Sequence, residues 1–320
     1  MPRLETLEVR AAPGEDESLV VALRAVLAWQ GRAASYDELA AVLGVSPMFA
    51  AARAEPCPRR WKAYGRDAFL VAGARQFGLD VRDLHPPDAA PLPTAPPEFE
   101  AHFRDSYLPL IEAELAHDHP LLAWMGWPPP CADDWGVITG RDVRRRVCLG
   151  RVAGRVGAVR LEAAAVQVYA VQGCPGPAAV PVERAASAVE RARIALRGEW
   201  PPAFGIETGA AAIEAWRERL DVSEFCPRCA PHDAGCCEAL VRVLVSGRRS
   251  AARFFREHGR ADLANALWAA AECIAPGGET PPWPDRAWHR PEFRKELAAR
   301  LERAARCESQ AAALSDRAGP

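Results

Sequence analysis

The side chains able to do chemistry fall in four places along the 320 residues. "HDHP" at 117–120 sets His117 and His119 on either side of Asp118, and Cys131 follows one apolar stretch later. A thiol becomes a nucleophile when a nearby base takes its proton and a third group orients that base. Cys131 with His117 or His119 is therefore one candidate pair. Cys57, in "EPCPRRW", has two arginines just downstream that would lower its pKa and is a second candidate thiol. Asp133, Asp134 and Asp142 bracket the apolar run "WGVIT" and are of the type used as general acid and base, although carboxylates beside strands commonly serve only as turn formers. Trp135, first after the paired aspartates, either stacks a flat ligand or opens a core strand. The fourth place is "FCPRCAPHDAGCC", with Cys226, Cys229, His232, Cys236 and Cys237. Zinc takes four such ligands in a tetrahedron. All five lie within twelve residues, whereas structural sites pair two knuckles across a longer loop, so a cysteine-rich turn between helices is the competing reading. Zinc is the one cofactor the residues suggest.

Several chemistries lack their signatures. There is no GxGxxG after a strand, no Walker loop, no GxSxG and no HExxH. Forty basic and 42 acidic residues leave a net charge of -2 and no footprint for nucleic acid or an anionic membrane. No apolar run reaches the length of a membrane span, and "MPRLETLEVR" lacks the apolar core of a secretory signal. Ten cysteines without such a signal are expected to be reduced thiols of a cytoplasmic protein.

The elements that must position these residues follow from periodicity. In "SLVVALRAVLAWQ", Leu19, Val20, Leu23, Val26 and Leu27 form one helical stripe, with Ser18 where an N-cap belongs. A second helix follows at "SYDELAAVLG", with Ser35 and Glu38 at capping-box spacing. Further helices are expected at 66–77 and 97–116, the two flanking a proline-rich connector at 86–99. Strands are expected at "LDVRDLH", "PLLAWM", "WGVITG", "RRVCLGRV" and within 157–172. From about residue 181 the pattern is helical, with segments near 182–197, 207–220, 235–258, 261–274 and 291–314. The fold class expected is α+β: a small antiparallel sheet with helices over 1–175, then a mainly helical half over 176–320.

The segments "ESLVVALRAVLAWQG", "ASYDELAAVLG" and "HPLLAWMGWP…DDWGVITGRD", in that order, resemble the papain-like domain of leader-cleaving bacteriocin-exporter peptidases and of the butirosin biosynthesis protein H family. "GIETGAAAIEAWRERL", "GRRSAARFFREHG" and "LANALWAAAECIA" are similar to the helical portion that accompanies the latter. The likeness covers most of residues 15–275. In papain-like enzymes the nucleophilic Cys opens the first helix and the His stands at the start of the strand ending in "TG". Those positions correspond here to Ser18 and Trp135. The orienting Asn or Asp would fall near Gly150 and Arg151, and Asp142 follows Trp135 too soon unless the geometry is shifted. A serine hydroxyl without a base stays protonated, and an indole has no basic nitrogen.

What the resemblance implies is a catalytically degenerate relative that binds a peptide-like or acylated small molecule. Glu17, Ser18, Trp135 and Asp142 would line the cleft, with Asp133 and Asp134 at its rim. The alternative is an active amide hydrolase or acyltransferase with a relocated nucleophile, Cys131 or Cys57, and His117 or His119 as base, acting by implication on a carrier-bound thioester. A third reading is an interaction protein organised around a zinc-stabilised helical half.

Overall fold

The computed structural model describes residues 3–52, 68–84, 96–142, 144–174, 176–199, 206–220, 235–278 and 290–316. In chain order the elements are α1 (Ser18–Trp29), α2 (Tyr36–Val42), β1 (Ala50–Ala52), α3 (Ala68–Gln76), β2 (Leu79–Asp83), α4 (Pro96–His102), α5 (Leu108–Ala116), β3 (Leu121–Trp124), β4 (Trp135–Asp142), β5 (Val147–Val152), β6 (Val159–Arg160) and β7 (Gln167–Gly173). They continue with α6 (Pro181–Leu196), β8 (Ile206–Thr208), α7 (Gly209–Leu220), α8 (Gly235–Glu257), α9 (Ala261–Ile274) and α10 (Pro291–Ser315). The fold is mixed, with an antiparallel sheet in the N-terminal half and a helical C-terminal half. Among the described residues no helix is long and apolar enough to cross a membrane.

The chain divides into two compact units, 1–36 with 65–179, and 37–64 with 180–320. The second unit takes in residues 37–64, which the sequence reading grouped with residues 1–175.

In the first unit, six strands run in the order β2-β7-β3-β4-β5-β6, every neighbour antiparallel. Because side chains alternate across a strand, the register sorts them into two faces. Leu121, Ala123, Ile138, Val168 and Ala170 share a core with Tyr107, Ile111 and Trp127. The other face carries Leu122, Trp135, Val137, Tyr169 and Val171, all buried, and α1 packs against β3 and β4. α1 is apolar beyond the single stripe read from its sequence: Val21, Ala22 and Ala25 are buried too, as suits a helix enclosed on most sides.

Trp127 wedges against the sheet only because Gly136 and Gly150 lack side chains. A Cβ on Gly136 would stand 2.7 Å from the indole, and one on Gly150 would stand 2.6 Å from it. The helix expected over 97–116 is interrupted by a π-helical stretch, Phe103–Tyr107, which carries Phe103 and Tyr107 into the core.

The second unit is built on α7, α8, α9 and α10 around Phe49, Trp216, Leu240, Leu244, Ile274 and Leu301. Its two-stranded sheet joins β1 to β8. Arg248 and Glu308 form an ion pair with both side chains wholly buried. Arg248 Nη1 also donates to the carbonyls of Ser46 (3.2 Å) and Met48 (2.8 Å), which ties the segment before β1 to α8.

Candidate functional site

Helix α1 begins beside the start of β4. Glu17, not Ser18, is the N-cap: its carboxylate accepts from the Leu19 N–H at 3.4 Å. An acidic side chain there suits the positive end of the helix. Ser18 is the first helical residue, and its Oγ accepts the backbone N–H of Trp135 at 3.0 Å. The backbone N–H of Glu17 donates to Tyr36 Oη at 3.0 Å. Burial, reinforced by the nearby Glu17 carboxylate, pushes the Tyr36 phenol far above its ordinary value, so it stays neutral.

The two positions matched to nucleophile and base are thus adjacent, and both are buried. Ser18 is 7% exposed and Trp135 0%. The Trp135 ring stacks on Trp124, with centroids 6.3 Å apart, and leans on Tyr169 at 5.9 Å. Trp124 lies opposite Trp135 on one side and Gln167 on the other, so the three occupy one row across β4, β3 and β7. Trp135 Nε1 and Gln167 Oε1 are both buried without a hydrogen-bond partner among the described residues. A buried donor and a buried acceptor left unpaired are costly, and such atoms mark places where a partner group fits.

The remaining expected residues separate into those at this end of the sheet and those elsewhere. Asp133 and Asp134 are half-buried in the turn that leads into Trp135. The Asp133 carbonyl accepts from Trp124 Nε1 at 3.1 Å, and the Asp134 carbonyl accepts from the Met125 N–H at 3.1 Å. Asp142 closes the opposite end of β4, about 23 Å away at ~3.3 Å per residue. There it accepts from the Arg145 N–H at 3.2 Å, as a turn carboxylate does. It does not share a site with Ser18. Opposite Val137 on β5 stands Arg151, where the resemblance would put an orienting Asn or Asp.

The relocated pair is not assembled either. Cys131 is buried in the core on the other face, and its thiol donates to the Ala153 carbonyl at 3.3 Å. His119 precedes β3 while Cys131 lies beyond its far end, about 16 Å along the strand direction at ~3.3 Å per residue. His119 Nδ1 instead meets Glu114 Oε2 at 2.8 Å, and His117 Nδ1 meets the Ala113 carbonyl at 2.8 Å. Cys57, Cys226, Cys229 and His232 lie outside the described residues, as do the side chains of Cys236 and Cys237 on α8. Among the described residues, no three His, Cys, Asp or Glu side chains converge as metal ligands would.

Sequence reasoning missed Tyr36, Gln167 and Tyr169 at this site. Gln167 had a signal, since its amide opens the otherwise apolar run "QVYAV". No family model matches the chain, and no curated protein matches it.

Proposed function

We propose that the chain is a papain-like protein without thiol catalysis, which binds a peptide-like or acylated small molecule at the α1 to β4 end of the sheet. The observation that carries the reading is the Ser18 Oγ to Trp135 N–H bond. At the two positions where a thiol and an imidazole would face each other there stand a hydroxyl already engaged with the backbone and an indole with no basic nitrogen. The unspent indole N–H of Trp135 and amide oxygen of Gln167 are the complement of an amide, which offers one carbonyl and one N–H. Because Ser18 and Trp135 are buried, a ligand reaches these atoms only when the packing around them opens.

Alkylation of the native chain by iodoacetamide, resolved by peptide mass spectrometry from pH 6 to 9, tests the reading. The thiolate is the reacting species. Burial, with the Glu112 carboxylate adding to it, pushes the Cys148 thiol up to about 12. Below that value the thiol keeps its proton, so Cys148 stays unlabelled across the range. The proposal expects no cysteine to react faster than free glutathione at pH 6. One cysteine reacting about 10-fold faster, the net gain of a base-activated thiolate once its lower nucleophilicity is counted, would establish the enzyme reading in its place.

A further inference from the structure

Beyond β5, the chain turns at Gly154 and Gly157, both with φ of +80°, and folds back toward the segment Glu8–Ala11. Between them lies a cavity of about 400 Å³ whose wall carries Arg10, Arg151 and Arg155. That volume is within the usual range for small-molecule sites. Among the described residues, the one acidic side chain on the wall is Glu8, 2.5 Å from Arg10. Neither Arg151 nor Arg155 has a carboxylate partner among the described residues.

Both of these guanidinium groups are held in place by neutral backbone. Arg151 Nη2 donates to the Glu5 carbonyl at 3.0 Å, and Arg155 Nη2 donates to the Pro129 carbonyl. A carbonyl orients a guanidinium without cancelling its charge. Arg151 Nε is buried and has no hydrogen-bond partner among the described residues, so a positioned, charged donor is left over beside the cavity. Three positive groups against one negative leave an excess of two, which matches a dianion. Planar guanidinium forks fit the oxygens of a phosphoryl group. The wall also has an apolar part, Val9 and the fully exposed Val156, which suits an organic remainder.

We propose that this cavity binds the phosphoryl group of a small phosphate monoester through Arg151, Arg155 and Arg10. The site draws on different residues from the Ser18 site and does not rest on the reading given for it.

Isothermal titration of the full chain with phenyl phosphate, inorganic phosphate and succinate tests the proposal. Arg10 and Arg155 are exposed, so Arg155→Gln and Arg10→Gln leave the fold intact. Phenyl phosphate is expected to bind more tightly than inorganic phosphate, and both more weakly at higher salt. Each single substitution is expected to weaken phenyl phosphate about tenfold, the scale of one charge-assisted hydrogen bond. Absence of binding up to about 10 mM, a range that reaches very weak sites, would overturn the proposal. So would unchanged affinity in Arg155→Gln, or succinate binding more tightly than either phosphate, which would make the site one for dicarboxylates.

Discussion

Replacing Ser18 by Ala isolates the bond on which the candidate site turns. Trp135 is 0% exposed, and its backbone N–H is taken up by Ser18 Oγ at 3.0 Å. Deleting the hydroxyl leaves a buried N–H without an acceptor, at a cost of about 1–3 kcal/mol. Alanine is a better helix former than serine and returns up to about 0.5 kcal/mol. The balance is a loss of about 1–2 kcal/mol, or a fall in Tm of ~2–8 °C for a unit of some 150 residues at roughly 2–4 °C per kcal/mol. Two assays read it: urea unfolding followed by tryptophan fluorescence, and hydrogen exchange at the Trp135 amide. The amide should exchange faster in Ser18→Ala, and Ser18→Cys should fall between the two, since sulfur is a weak acceptor. A stability change within ~0.5 kcal/mol of zero, with the Trp135 amide equally protected, would refute the argument that this bond joins α1 to β4.

Two further substitutions test the framework around the site. Gly150→Ala drives a Cβ to 2.6 Å from the Trp127 ring and against the Val137 carbonyl, and should cost about 1–3 kcal/mol as overpacking does. A Trp127→Leu background should relieve part of that loss; equal losses in both backgrounds would mean the indole is not the obstacle. Arg248→Met strands a wholly buried Glu308 carboxylate and should cost about 3–5 kcal/mol. Arg248→Met with Glu308→Leu should be the more stable of the two variants by thermal unfolding, and a double variant no better than the single would contradict the buried-charge account.

Much of the fold was legible because it is local. The stripe of α1, the apolar runs of β3 and β4 and the helical periods after residue 181 each fall within a few residues of where the structure has them. What the sequence hid is non-local. β1 and β8 are three-residue strands about 150 positions apart, and pair across the chain with nothing in either to announce it. Residues 37–64 join the second unit through contacts such as Arg184 to Glu38 (2.8 Å) and the Arg248 tether. Ser18 has the composition of an N-cap, but its hydroxyl is claimed by Trp135, and Glu17 caps in its place. Asp142 was grouped with Ser18 by sequence proximity to Trp135, yet an eight-residue strand carries it to the other end of the sheet. The arginine cavity drew on positions 10, 151 and 155, a convergence that no local pattern encodes.

The proposed loss of thiol catalysis requires positions 18 and 135 to face each other as a nucleophile and its base do, with only their present residues blocking the chemistry. The measurement that tests this most directly is alkylation at position 18, at pH 6, in Ser18→Cys and in Ser18→Cys/Trp135→His, each checked for native near-UV circular dichroism. An imidazole beside the introduced thiol should bring its pKa from about 8.5 to near 6 or below. The thiolate fraction then rises more than about a hundredfold at pH 6; allowing for the lower nucleophilicity of a less basic thiolate, the net gain is ~10-fold in rate. The account predicts that gain in the double variant alone. Equal, slow alkylation in both folded variants would contradict it.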